Sequence, residues 1–424
     1  MVTSSFYLGP HTPRFTPTCW EDVEAFVAAG SLKEHHWAEA KKALGPSGKD
    51  DTNIELGRDL ASLSVEGGTL FIGVTDGKGK GDKLVGIADF DTERDRLDQV
   101  SRTRVSPPLN IVTTTIVKPD DPTVAVLVVT VPASASAPHM VDGKYWGRSD
   151  TGKQTLTDAQ VRQLLAARGE RSSHFGDQLD AMAQVLNEPQ AAERTTSRYF
   201  LRAEPIASNF PPPSVADSIT ESYPFHLWRR LGVAGMGIHQ PCLHDADQAQ
   251  SHADGWAATT DRSGSPVPDR DHYRLTALIT DDGSWLISSG GATRPLDDNS
   301  STPGSTILYT HHILELAHVV CVAIGALSQT TAPYSGEWMI GVHIDHLEGI
   351  EPIENHSLRA SLAGSFSAYR HQTYRQIVTT TTRELTETPQ AVVEQLFTRL
   401  LRAIGMVGHY LPYTSLEDKI SKRR

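Results

Sequence analysis

"EGGTLFIGVTDGKGKGDKLVGI", residues 66–87, alternates glycine punctuation with short apolar runs. The run Thr69–Val74 is too short for a helix and is bounded by Gly67-Gly68 and Asp76-Gly77, so it reads as a buried strand entering a turn. The Gly- and Lys-rich segment that follows is the turn itself, and Leu84–Ile87 resume as a second short strand. Gly67-Gly68 precedes a strand rather than opening a helix. Backbone packing is therefore favoured over a phosphate cradle, which needs the free N–H groups of a helix start.

Working outward, residues 52–64 carry Leu56, Leu60 and Leu63 on one stripe and predict a helix. Residues 91–103 predict a charged helix. "NIVTTTIV" (110–117) and "TVAVLVVTV" (123–131) predict two strands joined through a turn at 118–122. "KYWGRSD" (144–150) predicts a short strand before a helix that starts near Thr157. At the front, Thr18 is positioned as the N-cap of a helix that Gly30 ends. Residues 1–17, rich in Pro and Thr, read as an extended segment. Residues 18–170 thus form one α+β domain.

Residues 171–424 read as a second α+β domain. A connecting helix is expected over 174–187, and a hairpin in "YRLTALITDDGSWLIS" (273–288) about Asp282-Gly283. A buried helix is expected over 307–328, and strands in "EWMIGVHID" (337–345) and "YRQIVTTTTREL" (374–385). Thr388-Pro389 opens a last helix with Val392, Val393, Leu396, Phe397, Leu400, Leu401 and Ile404 on its core face.

The 424 residues exceed one ordinary core, and two domains are the expectation. Net charge is −12, which excludes coating of nucleic acid through bulk charge but not a local basic groove. Residues 171–424 hold 20 basic and 28 acidic residues, net −8, which suits a sensor or assembly role better than an RNA platform. Cys19, Cys242 and Cys321 are scattered and odd in number, so no disulfide framework is implied and a cytoplasmic location is expected. No signal peptide is visible. The apolar run Ile313–Leu327 contains Glu315 and His318 and reads as too short and too polar to span a bilayer.

The helix, Gly-Gly, Ile-Gly-Val, Asp, glycine turn and Val-Gly-Ile succession resembles the Schlafen-type, AlbA-like domain. Upstream, "AAGSLKEHHWAEAKKAL" is similar to that family's glutamate, four residues, glutamate, one residue, lysine motif, here Glu34, Glu39 and Lys41. Downstream, "YWGRSDT" is similar to its aromatic-x-Arg-x-small segment. The resemblance covers roughly residues 18–170 in order. It departs at Ser64, where the family has Asn before Gly-Gly, and at Ala40, where a larger residue separates the second Glu from the Lys. It implies a mixed sheet with helices for the N-terminal domain.

In nuclease members of the family, the matching positions form a three-carboxylate centre. The resemblance thus makes Glu34, Glu39 and Asp76 the catalytic and metal-binding set, with Mg²⁺ or Mn²⁺ as the cofactor because hard oxygen ligands suit those ions. Lys41, Lys42 and Arg148 are the expected nucleic-acid contacts. The reading that follows is a metal-dependent endoribonuclease on structured, tRNA-like RNA, in phage defence or stress response. The alternative is a non-catalytic DNA/RNA-binding or nucleotide-binding regulator, with residues 171–424 as sensor of an unknown trigger. No complete Gly-x4-Gly-Lys-Ser/Thr loop is present, which disfavours ATP hydrolysis. One copy of the domain offers half of the groove that paired copies form, so a homodimer is expected, the alternative being a monomer whose C-terminal unit fills the place of the second copy.

Weaker constellations remain. His239, Cys242, His244 and His252 are candidate zinc ligands at a spacing that matches no common closed site. His311, His312, Glu315 and His318 lie on a helix, with 311, 315 and 318 on one face, and read as a satisfied interior histidine beside a surface one. His35 and His36 read as surface imidazoles. "GEWMIGVHIDHLEGI" (336–350) faintly echoes the opening stretch without any Glu-x4-Glu-x-Lys upstream, and reads as coincidence.

Overall fold

The computed structural model describes residues 6–9, 12–32, 36–46, 50–75, 83–149, 152–186, 188, 196–206, 215–219, 223–261, 268–296, 305–330, 334–356, 366–415 and 418–419. The architecture is α+β. The chain divides into two compact units. The first comprises Met1–Ser172 with Ile206–Pro211 and Pro333–Glu337, and the second Ser173–Pro205, Pro212–Ala332 and Trp338–Arg424.

In the first unit the elements run α1 (Trp20–Ala28), β1 (Ala38–Lys41), α2 (Asp50–Leu63), β2 (Gly68–Ile72), β3 (Val74–Thr75) and β4 (Lys83–Leu84). There follow α3 (Phe90–Thr103), β5 (Val112–Lys118), β6 (Asp121–Val131), β7 (Met140–Val141), β8 (Lys144–Ser149), β9 (Gly152–Thr155) and α4 (Asp158–Asp180). The main sheet has the order β1-β2-β6-β5, with β1 parallel to β2 and the other pairs antiparallel. Residues Ala125–Val129 of β6 are all buried because both faces of the sheet are covered. Leu127, Val129 and Val131 pack with Leu56, Leu60, Leu97 and Val100 of α2 and α3. Val126 and Val128 pack with Trp20, Val23 and Val27 of α1 and with Phe6 and Leu8. The segment expected to be merely extended therefore supplies core side chains.

Alternation along the strands settles the placement of the site. In β2, Leu70 and Ile72 face α2 and Phe71 faces α1. In β1, Ala38 and Ala40 lie on the α1 side, which leaves Glu39 and Lys41 on the α2 side of an edge strand.

The glycines of the opening stretch are packing residues. A Cβ on Gly68 would lie 2.7 Å from the Trp37 carbonyl oxygen and 2.6 Å from Leu63 Cδ2. Gly73, at φ +107°, would carry a Cβ 2.9 Å from the Cα of Gly86. The Gly-Gly strand start and the Ile-Gly-Val and Val-Gly-Ile runs thus let backbones approach too closely for side chains.

The second unit follows as α5 (Met182–Val185), β10 (Tyr199–Pro205), α6 (Pro224–Arg230), β11 (Gln248–His252), β12 (Gly255–Thr259), β13 (Leu275–Thr280) and β14 (Trp285–Ser289). Then come β15 (Thr293–Pro295), β16 (Thr306–Leu308), α7 (Thr310–Thr330), β17 (Glu337–Ile344), β18 (Glu351–Pro352), β19 (Tyr374–Thr381), α8 (Thr382–Glu387), α9 (Pro389–Ala403) and α10 (Val407–Tyr410). Its large sheet has the order β11-β12-β13-β14-β10-β17-β19. The expected hairpin is β13–β14, and every core-face residue expected on the last helix is buried.

Four expectations are corrected. Helix α4 is continuous through Asp180, so no separate helix spans 174–187. "TREL" begins α8 rather than extending β19, because Glu384 caps the turn by accepting the Thr381 N–H at 3.1 Å. Residues 152–155, left out of any strand, form β9. Helix α7 is long and apolar enough to cross a membrane by length and composition, so its run is not too short. Its most apolar window is 78% buried inside the fold, which makes it a core helix. The echo at 336–350 has different topology: β17 pairs antiparallel with β10, whereas β2 runs parallel to β1.

Candidate functional site

Three local patterns converge on one cluster in the first unit. Glu39 and Lys41 are two residues apart on β1 and share its α2-facing side. Arg148 and Lys153 are directly opposed in the β8–β9 hairpin, so they share a face too. Asp59 lies on α2, three residues after Leu56 and four before Leu63, on the helix's buried stripe.

The contacts form a lattice of alternating charge. Arg148 Nη2 donates to Glu39 Oε2 at 2.7 Å. Lys41 Nζ lies 2.9 Å from Asp59 Oδ2 and 4.0 Å from Glu39 Oε1. Lys153 Nζ bonds Asp59 Oδ1 and also Glu55, one helical turn earlier. Two cations opposed on one hairpin repel each other. Here the repulsion is relieved because each engages a different carboxylate. Arg58 extends the lattice, pairing with Glu55 at 3.2 Å and Asp142 at 3.3 Å, and lies over the Trp146 ring at 4.9 Å.

Exposure divides the cluster into a base and a mouth. The Asp59 side chain is fully buried and that of Arg148 is 2% exposed, whereas Lys41 and Lys153 are 24% and 20% exposed. Burial pushes the Asp59 carboxyl above the ordinary aspartate range, against the pull of Lys41 and Lys153. Burial pulls the Lys153 ammonium down, but Asp59 and Glu55 outweigh it and its pKa ends above the ordinary lysine value. The ionic form of the pair follows from geometry: two ammonium groups on one carboxylate stabilise its anion.

Glu34 and Asp76 lie outside the described residues, as does His35. Lys42 is exposed and takes no part in the lattice. His36 pairs with Glu66 at 3.2 Å. The end of β1 is nonetheless tied to the strand leading toward Asp76, since the Gly73 N–H donates to the Lys41 carbonyl at 2.8 Å.

Glu39 suits a hard divalent cation as one oxygen ligand, and the described residues contain no group of three or more His, Cys, Asp or Glu placed to hold a metal. That finding covers His239, Cys242, His244 and His252, which are not brought together as a zinc site. His239 bonds the Tyr309 hydroxyl, His244 Nδ1 lies 3.1 Å from the Met236 carbonyl, and burial pushes the Cys242 thiol up to about 12.

Asp59 and Lys153 were not anticipated from the sequence. The available signals were a carboxylate on the apolar stripe of a helix and a glycine shortly after "KYWGRS", a residue pattern that suits a hairpin.

Residues 34–157 match the family described as Schlafen, AlbA_2. This chain carries a Schlafen-type, AlbA-like domain. Glu39, Lys41 and Arg148 lie within the matched residues, as do Asp59 and Lys153, which complete the charged cluster. Among solved structures, the DIP2311 protein from Corynebacterium diphtheriae is 15% identical with a TM-score of 0.24. The match covers 34% of this chain and 28% of that one. The N-terminal domain of a putative ATP-dependent DNA helicase RecG-related protein from Nitrosomonas europaea is 19% identical with a TM-score of 0.23, covering 30% of this chain and 85% of that one. A comparison with curated proteins finds no match.

Proposed function

We propose that this chain acts on the phosphodiester backbone of nucleic acid and, more finely, that it is a metal-dependent endoribonuclease for structured, tRNA-like RNA. The observation that carries the reading is the placement of Glu39 and Lys41 on one face beside Arg148 and Lys153. Basic groups at the mouth suit phosphate oxygens, and a carboxylate among them suits the reacting centre rather than simple binding. Glu34, Glu39 and Asp76 would hold Mg²⁺ or Mn²⁺, which when bound polarises a phosphoryl oxygen and lowers the pKa of water. In this chain's own chemistry, Arg148 fixes the Glu39 carboxylate in one orientation, and Lys41 presents an ammonium to a phosphate oxygen. Lys42 and a homodimeric arrangement would extend the basic strip along RNA.

The test is incubation of purified protein with tRNA, with and without Mn²⁺, alongside Glu39→Gln. Metal-dependent fragments from wild type alone support the enzyme. Absence of fragments with wild type, or undiminished cleavage by Glu39→Gln, overturns it. A second reading, a nucleic-acid-binding regulator, is favoured by the engagement of Glu39 with Arg148. Salt-sensitive binding without cleavage supports that reading.

A further inference from the structure

We infer that Asp59 is a positioning residue that holds Lys41 and Lys153 together as a two-lysine phosphate subsite. The inference deepens the proposed function and rests on its phosphate-binding reading. Lysine is a flexible point charge on a four-carbon stem, so two lysines at a surface ordinarily spread apart and lose side-chain entropy when gathered. Here one carboxylate gathers them, with Oδ2 taking Lys41 at 2.9 Å and Oδ1 taking Lys153. Asp59 is fully buried while the Lys41 and Lys153 side chains are partly exposed. The anchor thus sits beneath the donors, and a phosphate approaching from solvent meets them without displacing it.

Each lysine is also held by its backbone. Lys41 is hydrogen-bonded in the parallel β1–β2 pair, and Lys153 is paired with Arg148 across the hairpin. Glu55 takes a further proton of Lys153, which fixes the ammonium between two acceptors on successive turns of α2. An ammonium has three donors. Lys153 spends two of them on Glu55 and Asp59, and the third is left for a ligand oxygen. The subsite suits a phosphate group, whose several oxygens can accept from both lysines at once.

The arrangement makes a prediction of unusual sign. Simple electrostatics says that neutralising Asp59 makes the site more positive and tightens anion binding. A positioning role says that Asp59→Asn frees both lysines and weakens it. The experiment titrates inorganic phosphate, and separately an RNA hairpin in the presence of a chelator, into wild type, Asp59→Asn, Lys153→Gln and Lys153→Arg. Lysine ¹⁵Nζ resonances and binding isotherms are recorded across a salt series, and urea denaturation identifies folded variants.

The expected result is joint perturbation of the Lys41 and Lys153 resonances by phosphate in wild type. Asp59→Asn and Lys153→Gln should weaken binding about tenfold, with the salt slope for RNA reduced by about one in Lys153→Gln and restored in Lys153→Arg. Tighter binding by folded Asp59→Asn, or wild-type affinity in Lys153→Gln, overturns the inference. Lys153→Gln alone decides the matter if Asp59→Asn fails to fold. Phosphate binding that follows this pattern without RNA binding upholds the subsite and overturns the nucleic-acid reading.

Discussion

The guanidinium of Arg148 donates to the Glu39 carboxylate at 2.7 Å across 109 residues of chain. This one bond joins two of the three sequence segments on which the domain resemblance rests. It also gives Arg148 an orienting role, since its side chain is nearly buried while Glu39 is 16% exposed.

Arg148→Ala leaves a partly buried carboxylate without its charged donor. The expected cost is about 2 kcal/mol of stability, together with a fall in RNA cleavage of tenfold or more. Urea denaturation and initial rates on tRNA measure the two effects. Arg148→Lys should recover stability better than activity, because an ammonium restores charge but not the planar fork. Equal recovery of both would show that orientation of Glu39 does not matter.

Gly68→Ala and Gly169→Ala should move stability in opposite directions. A Cβ on Gly68 collides with the Trp37 carbonyl and Leu63. The cost is about 1–3 kcal/mol, typical of an overpacked site. Gly169 is exposed inside α4 with nothing within 4 Å of its Cβ position. Alanine there should stabilise by roughly 0.4–1 kcal/mol through helix propensity and reduced freedom of the unfolded chain. Thermal melts of the two variants beside wild type check the contrast.

Acidification should destabilise the second unit. Burial holds His239 and His311 down at about 4 and His312 down at about 3, with Arg294 adding to the depression of His239 and His312. In the unfolded chain these groups titrate near 6.5. Between that pH and the folded values the unfolded state binds more protons, so stability is full above about 6.5 and is lost as pH falls toward 4. A fully buried group changes stability by about 1.4 kcal/mol per pH unit in this window. Fully buried His312 should dominate, and solvent lowers the share of His239 and His311. Urea midpoints at pH 7 and pH 5 should differ, and His312→Gln, where it folds, should shrink the difference. Equal midpoints for wild type would refute the assignment.

A homodimer is the expected assembly. Light scattering at micromolar concentration should give twice 46.2 kDa, with binding to RNA that weakens steeply as salt rises. A mass of 46.2 kDa that RNA leaves unchanged is the contrary result.

The sequence by itself determined whatever depends on local period. The two-residue alternation placed Glu39 and Lys41 on one face, and the 3.6-residue period identified the seven buried core-face residues from Val392 to Ile404. Glycine spacing marked the strands of the opening stretch. Tertiary structure decided the partners. Arg148 could have met nearby Asp142, but hairpin register and the packing of α2 over the sheet gave it Glu39 and gave Asp142 to Arg58. The burial of Asp59 against Lys41 and Lys153, and of Phe6 and Leu8 with Val126 and Val128 of β6, likewise arose from contacts between distant segments. Periodicity specifies which way a side chain points. Which charge it meets depends on how separate elements stack, and that is settled only when the whole core forms.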